Sequence, residues 1–290
     1  MPALSTDGWN IDYVEVGTGR PVVLIHSSVS GNQQWRSLAE ALKDRYRVLA
    51  VNLFGYGDTT PWPENAVQTL ADHADLVLAL CSNSRGPVFI VGHSFGGSVA
   101  LKAALRLGHK VAGLVLLDPN PFYLLSQHKR EAAYEEAKEL RNHVKRYGAV
   151  GDWHKVAERF ADYFVSDGAW ESMPAKRQSA FLEAMPPNFH EWDAVMNETT
   201  KIDTWASLKA KTLVVYAADT KRPIREIVKL FVDACPHWFF KEVAEGGHMA
   251  PLFQPESVNP IVTDAICAKL QMSRYVKLHM LSELHMNHVV

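Results

Sequence analysis

Short apolar runs alternate along this chain with longer segments of helical spacing. The apolar runs are rich in Val, Leu and Ile, and their length predicts buried strands. They cover residues 22–25, 46–53, 88–91, 112–117 and 212–216, and an alternating run over 237–243 predicts a final strand. The segments with helical spacing cover residues 34–42, 66–80 and 95–107. Strands that alternate with helices predict an α/β fold, in which helices flank a mostly parallel central sheet.

The alternation stops between residues 122 and 204, where the pattern predicts helices only. Apolar positions recur at helical spacing over 134–147, and further helices are predicted over 152–165 and 175–185. We therefore predict an all-helical cap, residues 122–204, inserted above the carboxyl edge of the sheet. The core is then formed by residues 1–121 and 205–272, and residues 273–290 form a C-terminal tail whose role the pattern does not indicate.

A lone serine lies where one predicted strand passes into a predicted helix. The segment reads Gly92-His93-Ser94-Phe95-Gly96, which is the G-x-S-x-G pattern of a nucleophile elbow. A residue in so tight a turn crowds the backbone two positions away, so glycine is needed on both sides. The serine hydroxyl is then exposed at a helix N-terminus, which favours negative charge nearby.

Two later strands also end in residues that carry chemistry. Asp219 follows the run 212–216 and precedes Pro223, and His248 lies between paired glycines and Pro251 after the last strand. Because the carboxyl ends of parallel strands share one edge, these side chains are expected near Ser94. Asp118, which also ends a strand, is the alternative carboxylate. An aspartate before proline is also a common turn residue.

These three segments, in this order over about residues 8–270, resemble the α/β-hydrolase superfamily. The resemblance implies a catalytic triad in which Ser94 is the nucleophile, His248 the base and Asp219 the residue that orients the histidine. Some members take the acid from an earlier strand, which keeps Asp118 as the alternative. His93 is expected to pack beside the nucleophile without a chemical role.

The resemblance also implies an oxyanion hole. Its donors would be the backbone N–H of Phe95, which follows the nucleophile, and the N–H of Ser28, in the loop after the strand 22–25. The family pattern in that loop is His-Gly-x, and here it reads His26-Ser27-Ser28, with serine in place of glycine.

A substrate pocket is expected between the cap and the sheet, because aromatic residues are concentrated in the cap. No cap residue is predicted to bind a charged substrate. The candidate pocket residues are His26, Ser27, Phe122, Tyr123, Trp153, Trp192 and Met249.

Composition excludes several other classes of protein. The formal net charge is −2 with 21% charged residues, so no basic surface for nucleic acid or membrane is expected. Three scattered cysteines argue against a disulfide framework, and no metal-binding spacing or cofactor motif is found. No secretion signal or membrane span is expected, so a cytoplasmic protein is predicted. The oligomeric state stays open.

The predicted activity is hydrolysis of carboxylic esters, with a small or medium apolar or aromatic ester and water as the reactants. A serine nucleophile excludes the members of the superfamily that use aspartate there, the haloalkane dehalogenases and epoxide hydrolases. Three alternatives share the triad: a carbon–carbon bond hydrolase of ring-cleavage diketones, a lactonase and a perhydrolase. A hormone-receptor-like binding protein is the non-enzyme alternative.

Overall fold

The computed structural model describes residues 3–268, apart from residues 7, 83 and 85, so the predicted tail 273–290 lies outside the described residues. Eight strands form one sheet in the order β1-β2-β4-β3-β5-β6-β7-β8. β2 pairs antiparallel with both of its neighbours, β1 and β4, and the pairs from β4 through β8 are parallel. The strands are β1 (Ala3–Thr6), β2 (Trp9–Val16), β3 (Arg20–Ile25), β4 (Tyr46–Val51), β5 (Val88–His93), β6 (Val111–Leu117), β7 (Lys211–Ala217) and β8 (Phe239–Val243).

Outside the segment between β6 and β7, the described residues form six α-helices, which flank the sheet. They are α1 (Arg36–Leu42), α2 (Leu70–Cys81), α3 (Phe95–Leu107), α11 (Arg222–Ala234), α12 (Ala250–Phe253) and α13 (Pro255–Cys267). Successive side chains of a strand point to opposite faces, so Val22 and Leu24 pack with α1 and α13. Val23 and Ile25 pack with α2 and α3 on the other face. This arrangement confirms the predicted α/β architecture.

The predicted element types agree with the structure, and some boundaries move. The predicted helix 66–80 begins at Leu70, because Thr69 caps it: its hydroxyl accepts from the N–H of Asp72, whose carboxylate accepts from the Thr69 N–H. The final strand begins at Phe239 rather than residue 237.

Seven helices lie between β6 and β7, in the region where the pattern predicted three. They are α4 (Tyr123–Gln127), α5 (Glu131–Gly148), α6 (Trp153–Phe164), α7 (Ala169–Ser172), α8 (Ala175–Glu183), α9 (Asn188–Met196) and α10 (Ile202–Ala206). We call this segment, residues 123–206, the helical insertion. Short 3-10 helices cover Asn32–Trp35, Gly108–Lys110 and Gly247–Met249. Within the described part of the chain, no helix combines the length and apolarity needed to cross a membrane.

Candidate active site

Ser94 lies between β5 and α3 in a backbone conformation that side chains rarely adopt. Its φ of 54° and ψ of −117° are held by neighbours on both sides. The Ser94 N–H donates to the carbonyl of Leu117 at 2.9 Å, and the Ser94 carbonyl accepts from Gly97 at 2.9 Å. Strain of this kind persists only where the surroundings enforce it, and it is concentrated at functional sites.

The two glycines of the pentapeptide allow close backbone approach. A Cβ at Gly92 would collide with the Gly96 carbonyl oxygen. A Cβ at Gly96 would collide with the carbonyl oxygens of Ile25 and His26, in the loop after β3. The tight spacing of the pentapeptide therefore brings the serine turn against a second strand end, as well as shaping the turn itself.

His248 lies beside Ser94, 154 residues later in the chain. Its Nε2 is 2.8 Å from the Ser94 hydroxyl oxygen, and its side chain is buried. The preceding glycines, Gly246 and Gly247, have φ values of 108° and 56° and turn the chain back over the sheet edge. The ring of Phe164, from the helical insertion, lies 4.8 Å from the imidazole between ring centroids.

The carboxylate next to His248 belongs to Asp118. Its Oδ2 is 3.5 Å from His248 Nδ1, and it accepts a hydrogen bond from Thr220 Oγ1 at 3.0 Å. The contact to Nδ1 is longer than an ideal hydrogen bond, yet among the described residues Nδ1 has no hydrogen-bond partner. Burial raises the pKa of Asp118, and the nearby His248 opposes that effect. Asp118 also has a positive φ of 42°.

The expectation that Asp219 reaches the histidine is not met, and the structure corrects it. Asp219 is exposed, and its Oδ1 accepts from the backbone N–H of Gly247 at 2.8 Å. Asp219 therefore stabilises the backbone of the loop that carries His248, and its carboxylate is not bonded to the imidazole. The difference follows from the strand positions: β6 lies next to β5, and β7 lies one strand farther away.

His93 forms hydrogen bonds that connect the loop carrying His248 with Gln34, which follows β3. Its Nδ1 accepts from Gln34 Nε2 at 3.1 Å, so its Nε2–H donates to the His248 carbonyl at 2.9 Å. The other end of Gln34 accepts from both the N–H and the hydroxyl of Ser27. Burial lowers the pKa of His93 well below its ordinary value, so the ring stays neutral. His93 therefore has a structural contact, as expected for a packing residue.

Ser28 and Phe95 line one small cavity with Ser94. We call it the serine cavity; its volume is about 10 Å³, which holds about one water-sized group. Among the described residues, the N–H groups of Ser28 and Phe95 have no hydrogen-bond partner within the protein. The lining residues are Ser28, Ser94, Phe95, Asn120, Phe122, Phe160, Phe164, Asn188, Glu191, Trp192 and Val195.

A larger cavity adjoins the serine cavity through Ser28, Phe160 and Phe164. We call it the side cavity; its volume is about 220 Å³. Its walls are mostly apolar, and the one charged side chain among its described lining residues, Arg177, is exposed. The other lining residues are Val29, Ser30, Gln33, Ala161, Val165, Met173, Ala180, Phe181, Ala184, Met249, Leu252 and Phe253.

Three of the seven candidate pocket residues lie at these cavities. Phe122 and Trp192 line the serine cavity with their rings stacked 5.5 Å apart, and Met249 lines the side cavity. Trp153 lies instead in a separate surface groove beside Trp62.

The other three candidates are occupied by structural hydrogen bonds, which corrects their assignment. The Tyr123 hydroxyl donates to the Thr200 carbonyl and accepts from the Trp205 indole. His26 donates from Nδ1 to the Ser27 carbonyl and accepts at Nε2 from the N–H of Leu53. Ser27 is bound to Gln34, as described above. The side chains of His26 and Ser27 therefore stabilise the loop after β3, and neither residue lines the serine cavity or the side cavity.

Sequence reasoning missed Glu191, a residue of α9 that lines the serine cavity. Its side chain is 1% exposed, and its Oε2 accepts from Asn188 Nδ2 at 3.1 Å. Burial raises its pKa, and the neighbouring groups of Ser28, Asn188 and Tyr56 oppose that effect. The expectation that no cap residue binds a charged substrate stays a prediction, and Glu191 is the residue of the helical insertion that bears on it. A signal existed: Asn188, Glu191 and Val195 recur at helical spacing beside Trp192, which predicts one buried face.

Comparisons with known proteins bear on the family and the fold of this chain. A model of the alpha/beta hydrolase family matches residues 22–261. A 2-hydroxy-6-oxo-6-(2'-aminophenyl)hexa-2,4-dienoic acid hydrolase from Metapseudomonas resinovorans is 34% identical over 39% of this chain and 40% of its own length. Lipase LipV from Mycobacterium tuberculosis is 39% identical over 59% of this chain and 60% of its own length. The matched regions thus span between two fifths and three fifths of these relatives.

Among solved structures, a thermophilic esterase from Thermogutta terrifontis superimposes with a TM-score of 0.74. The alignment covers 92% of this chain and 97% of that one, at 23% sequence identity. At that identity the likeness concerns the fold. The superposition extends over the helical insertion as well as the sheet, because the alignment covers 92% of this chain and the unaligned remainder is much smaller than the insertion.

Proposed function

Because this chain belongs to the alpha/beta hydrolase family, we propose that it hydrolyses carboxylic esters through Ser94, His248 and Asp118. The observation that carries the proposal is the 2.8 Å contact between the Ser94 hydroxyl and His248 Nε2 at a strained elbow. A serine hydroxyl is a weak nucleophile until a neighbouring base takes its proton. The contact supplies that base at hydrogen-bonding distance.

In the first half-reaction, Ser94 Oγ attacks the ester carbonyl carbon while His248 Nε2 takes the hydroxyl proton. The electron pair of the carbonyl bond moves to oxygen, and the N–H groups of Ser28 and Phe95 donate to that oxyanion. Asp118 keeps the Nδ1–H of the imidazole directed away from the serine and stabilises the imidazolium. When the tetrahedral intermediate collapses, the alcohol leaves with the proton from His248.

In the second half-reaction, water attacks the acyl-enzyme and gives its proton to His248. Collapse of the new intermediate returns that proton to Ser94 and releases the carboxylic acid. The two half-reactions together consume the ester and water, release the alcohol and the acid, and return Ser94 and His248 to their starting protonation states.

We assign the acid to Asp118 because it is the carboxylate at His248, whereas Asp219 is bonded to the Gly247 backbone. A buried carboxylate also interacts more strongly with an imidazolium than an exposed one, because water screens it less.

The two cavities support small acyl groups and larger apolar alcohols. The serine cavity leaves room for about one small group next to the reacting carbonyl. The side cavity, about 220 Å³ and mostly apolar, would accept the alcohol part of the ester.

Carbon–carbon bond hydrolysis is the second candidate, since one relative is named as a hydrolase of a dienoic acid. Such a substrate carries a carboxylate. Among the described residues that line the serine cavity, none is a lysine or arginine, and one is the glutamate Glu191. That charge pattern favours the ester over the dienoate.

The proposal is tested with p-nitrophenyl acetate and a fluorophosphonate label. We expect rapid release of p-nitrophenol by the native enzyme, and a loss of at least about a thousandfold in kcat for Ser94→Ala. The label should attach at Ser94 and at no other residue. Release that does not depend on Ser94, or a native protein that the label does not modify, would overturn the assignment. Tight binding of an ester without turnover would favour the receptor-like alternative.

A further inference from the structure

Glu191 presents an unpaired carboxyl oxygen in the serine cavity. Its Oε2 is held by Asn188, whose own Oδ1 accepts from the Trp192 indole at 3.0 Å. Among the described residues, Oε1 has no hydrogen-bond partner of good geometry, although the side chain is almost completely buried and the hydroxyl groups of Ser28 and Tyr56 lie close enough to the carboxyl group to oppose the rise in its pKa that burial causes. Buried polar atoms are usually paired, so an unpaired acceptor at the wall of a reaction site calls for an explanation.

The walls around this oxygen suit a positive charge. Phe122 and Trp192 are stacked beside it, and Phe160 and Phe164 complete the aromatic lining. Aromatic faces attract cations, and a carboxylate supplies a charge-assisted hydrogen bond. In the described lining of the serine cavity no basic side chain competes for Glu191.

The size of the cavity limits the group that can bind. A volume of about 10 Å³ accepts a group of roughly the size of water, such as a primary ammonium. Ser94 and Glu191 line the same small space, so a group bound by Glu191 would lie close to the carbonyl that Ser94 attacks. A primary amine on the α-carbon of the acyl group meets that requirement.

We infer that the enzyme selects esters whose small acyl group carries a protonated amine, such as α-amino acid esters, and that Glu191 Oε1 binds the ammonium. The inference rests on the proposed ester hydrolysis and deepens it. A bound ammonium also stabilises the ionised carboxylate, which burial alone disfavours. The same carboxyl disfavours acyl groups that carry a carboxylate.

Three benzyl esters that differ at one position test this inference. Glycine benzyl ester carries an ammonium where benzyl propionate carries a methyl group, and the monobenzyl ester of malonic acid carries a carboxylate there. Benzyl alcohol release is measured at about pH 6.5, where the α-amino group is protonated. For the native enzyme we expect kcat/KM for the glycine ester to exceed that for the propionate by about tenfold to a hundredfold. The malonate monoester should be the slowest.

In Glu191→Gln, the advantage of the glycine ester over the propionate should fall to about twofold or less, because the amide carries no charge to bind the ammonium. The readout is this ratio within one variant, so a general loss of activity does not affect it. Glu198→Gln is the matched control. Glu198 is a half-buried glutamate of the helical insertion whose Oε2 pairs with Lys102 Nζ at 3.0 Å, outside the serine cavity. Its substitution should leave the ratio unchanged even if it lowers stability.

The outcomes separate the two proposals. If the native enzyme does not hydrolyse benzyl propionate in a Ser94-dependent way, the proposed function fails. If it hydrolyses propionate but prefers the glycine ester by less than about twofold, this inference alone is overturned. The native ratio is divided by the ratio of the uncatalysed hydrolysis rates of the two esters, because an α-ammonium group activates the carbonyl toward any nucleophile. This corrected ratio decides even if Glu191→Gln does not fold. A preference that persists in a folded Glu191→Gln would equally overturn it, since a merely structural Glu191 would not set the ratio.

Discussion

The carboxyl edge of the sheet and the helical insertion above it each bring one buried carboxyl group to the same site, and the two differ in their partners. Asp118, at the sheet edge, lies against His248 and Thr220. Glu191, in the insertion, keeps one oxygen unpaired among aromatic rings. Under the proposed function, the sheet edge would supply the groups for the reaction, whereas the insertion would supply the groups that select the substrate.

The sheet edge is also more rigidly determined than the insertion. Backbone hydrogen bonds continue from strand to strand past the strand ends, from Ser94 to Leu117 and from Asp118 to Val215. The insertion contacts the site through side chains such as Phe164 and Trp192. Substitutions at the edge should therefore change rate and stability, and substitutions in the insertion should change selectivity.

Replacing the carboxylate at the sheet edge should give the largest effect. We expect Asp118→Asn to lower kcat for p-nitrophenyl acetate by about 10⁴-fold, because the amide disfavours the required tautomer of His248. Asp219→Asn is the matched control, since its amide oxygen can still accept from Gly247, and its rate should stay near native. Steady-state kinetics with melting curves for both variants check this. The opposite ranking would return the role to Asp219.

Crowding the elbow tests how rigid the edge is. Gly96→Ala should destabilise the fold by about 2–3 kcal/mol, because its Cβ would collide with two backbone oxygens after β3. Gly97→Ala is milder, because its Cβ would lie 3.0 Å from the Pro119 side chain. In thermal or denaturant unfolding, Gly96→Ala should be less stable than Gly97→Ala. Equal stability of the two variants would mean that the backbone at the sheet edge shifts to accept the added Cβ, so the edge is less rigid than we infer.

Filling the side cavity tests the role of the insertion in selection. Ala184→Leu places a larger side chain in that cavity, so kcat/KM for hexyl acetate should fall by about tenfold relative to methyl acetate. Ala175→Leu is the control, because Ala175 is exposed on α8 and does not line the cavity. Acetate release measures both. An equal loss for both esters would mean that the alcohol does not occupy the side cavity.

The smallest effect concerns stability and pH. Because burial raises the pKa of Glu191 in the folded state, the folded protein holds that proton more tightly than the unfolded chain. The contribution of Glu191 to stability is therefore present at pH values below its unfolded pKa and is lost as pH rises through the folded pKa. Tyr56 is the titratable neighbour, and its own pKa is raised, so it stays neutral there.

Glu191→Gln removes this titration. Its melting temperature relative to the native protein should rise as pH increases from about 4 through neutrality, by an amount equivalent to about 1.4 kcal/mol for each unit of pKa shift. Melting curves of both proteins over that range check it. A difference that does not change with pH would show that Glu191 has an ordinary pKa.

Features that depend on neighbouring residues in the chain could be predicted from the amino-acid pattern. The strand, turn and helix around Ser94 follow from local pattern, because the turn requires glycine at fixed positions. The paired glycines before His248 similarly predicted a loop that turns back over the sheet. Periodicity predicted helices over residues 122–204, and the structure has helices between Tyr123 and Ala206.

Two features depended on how the elements pack: which strand end lies next to His248, and which residue of the helical insertion lines the serine cavity. Asp118 and Asp219 both follow buried strands, but sheet order puts β6 next to β5, and burial then separates a carboxylate at His248 from an exposed one. Glu191 reads in the sequence as one more charged helical residue, and it becomes a wall of the site only because α9 packs over Ser94. Contacts between residues far apart in the chain depend on packing, which local pattern does not encode.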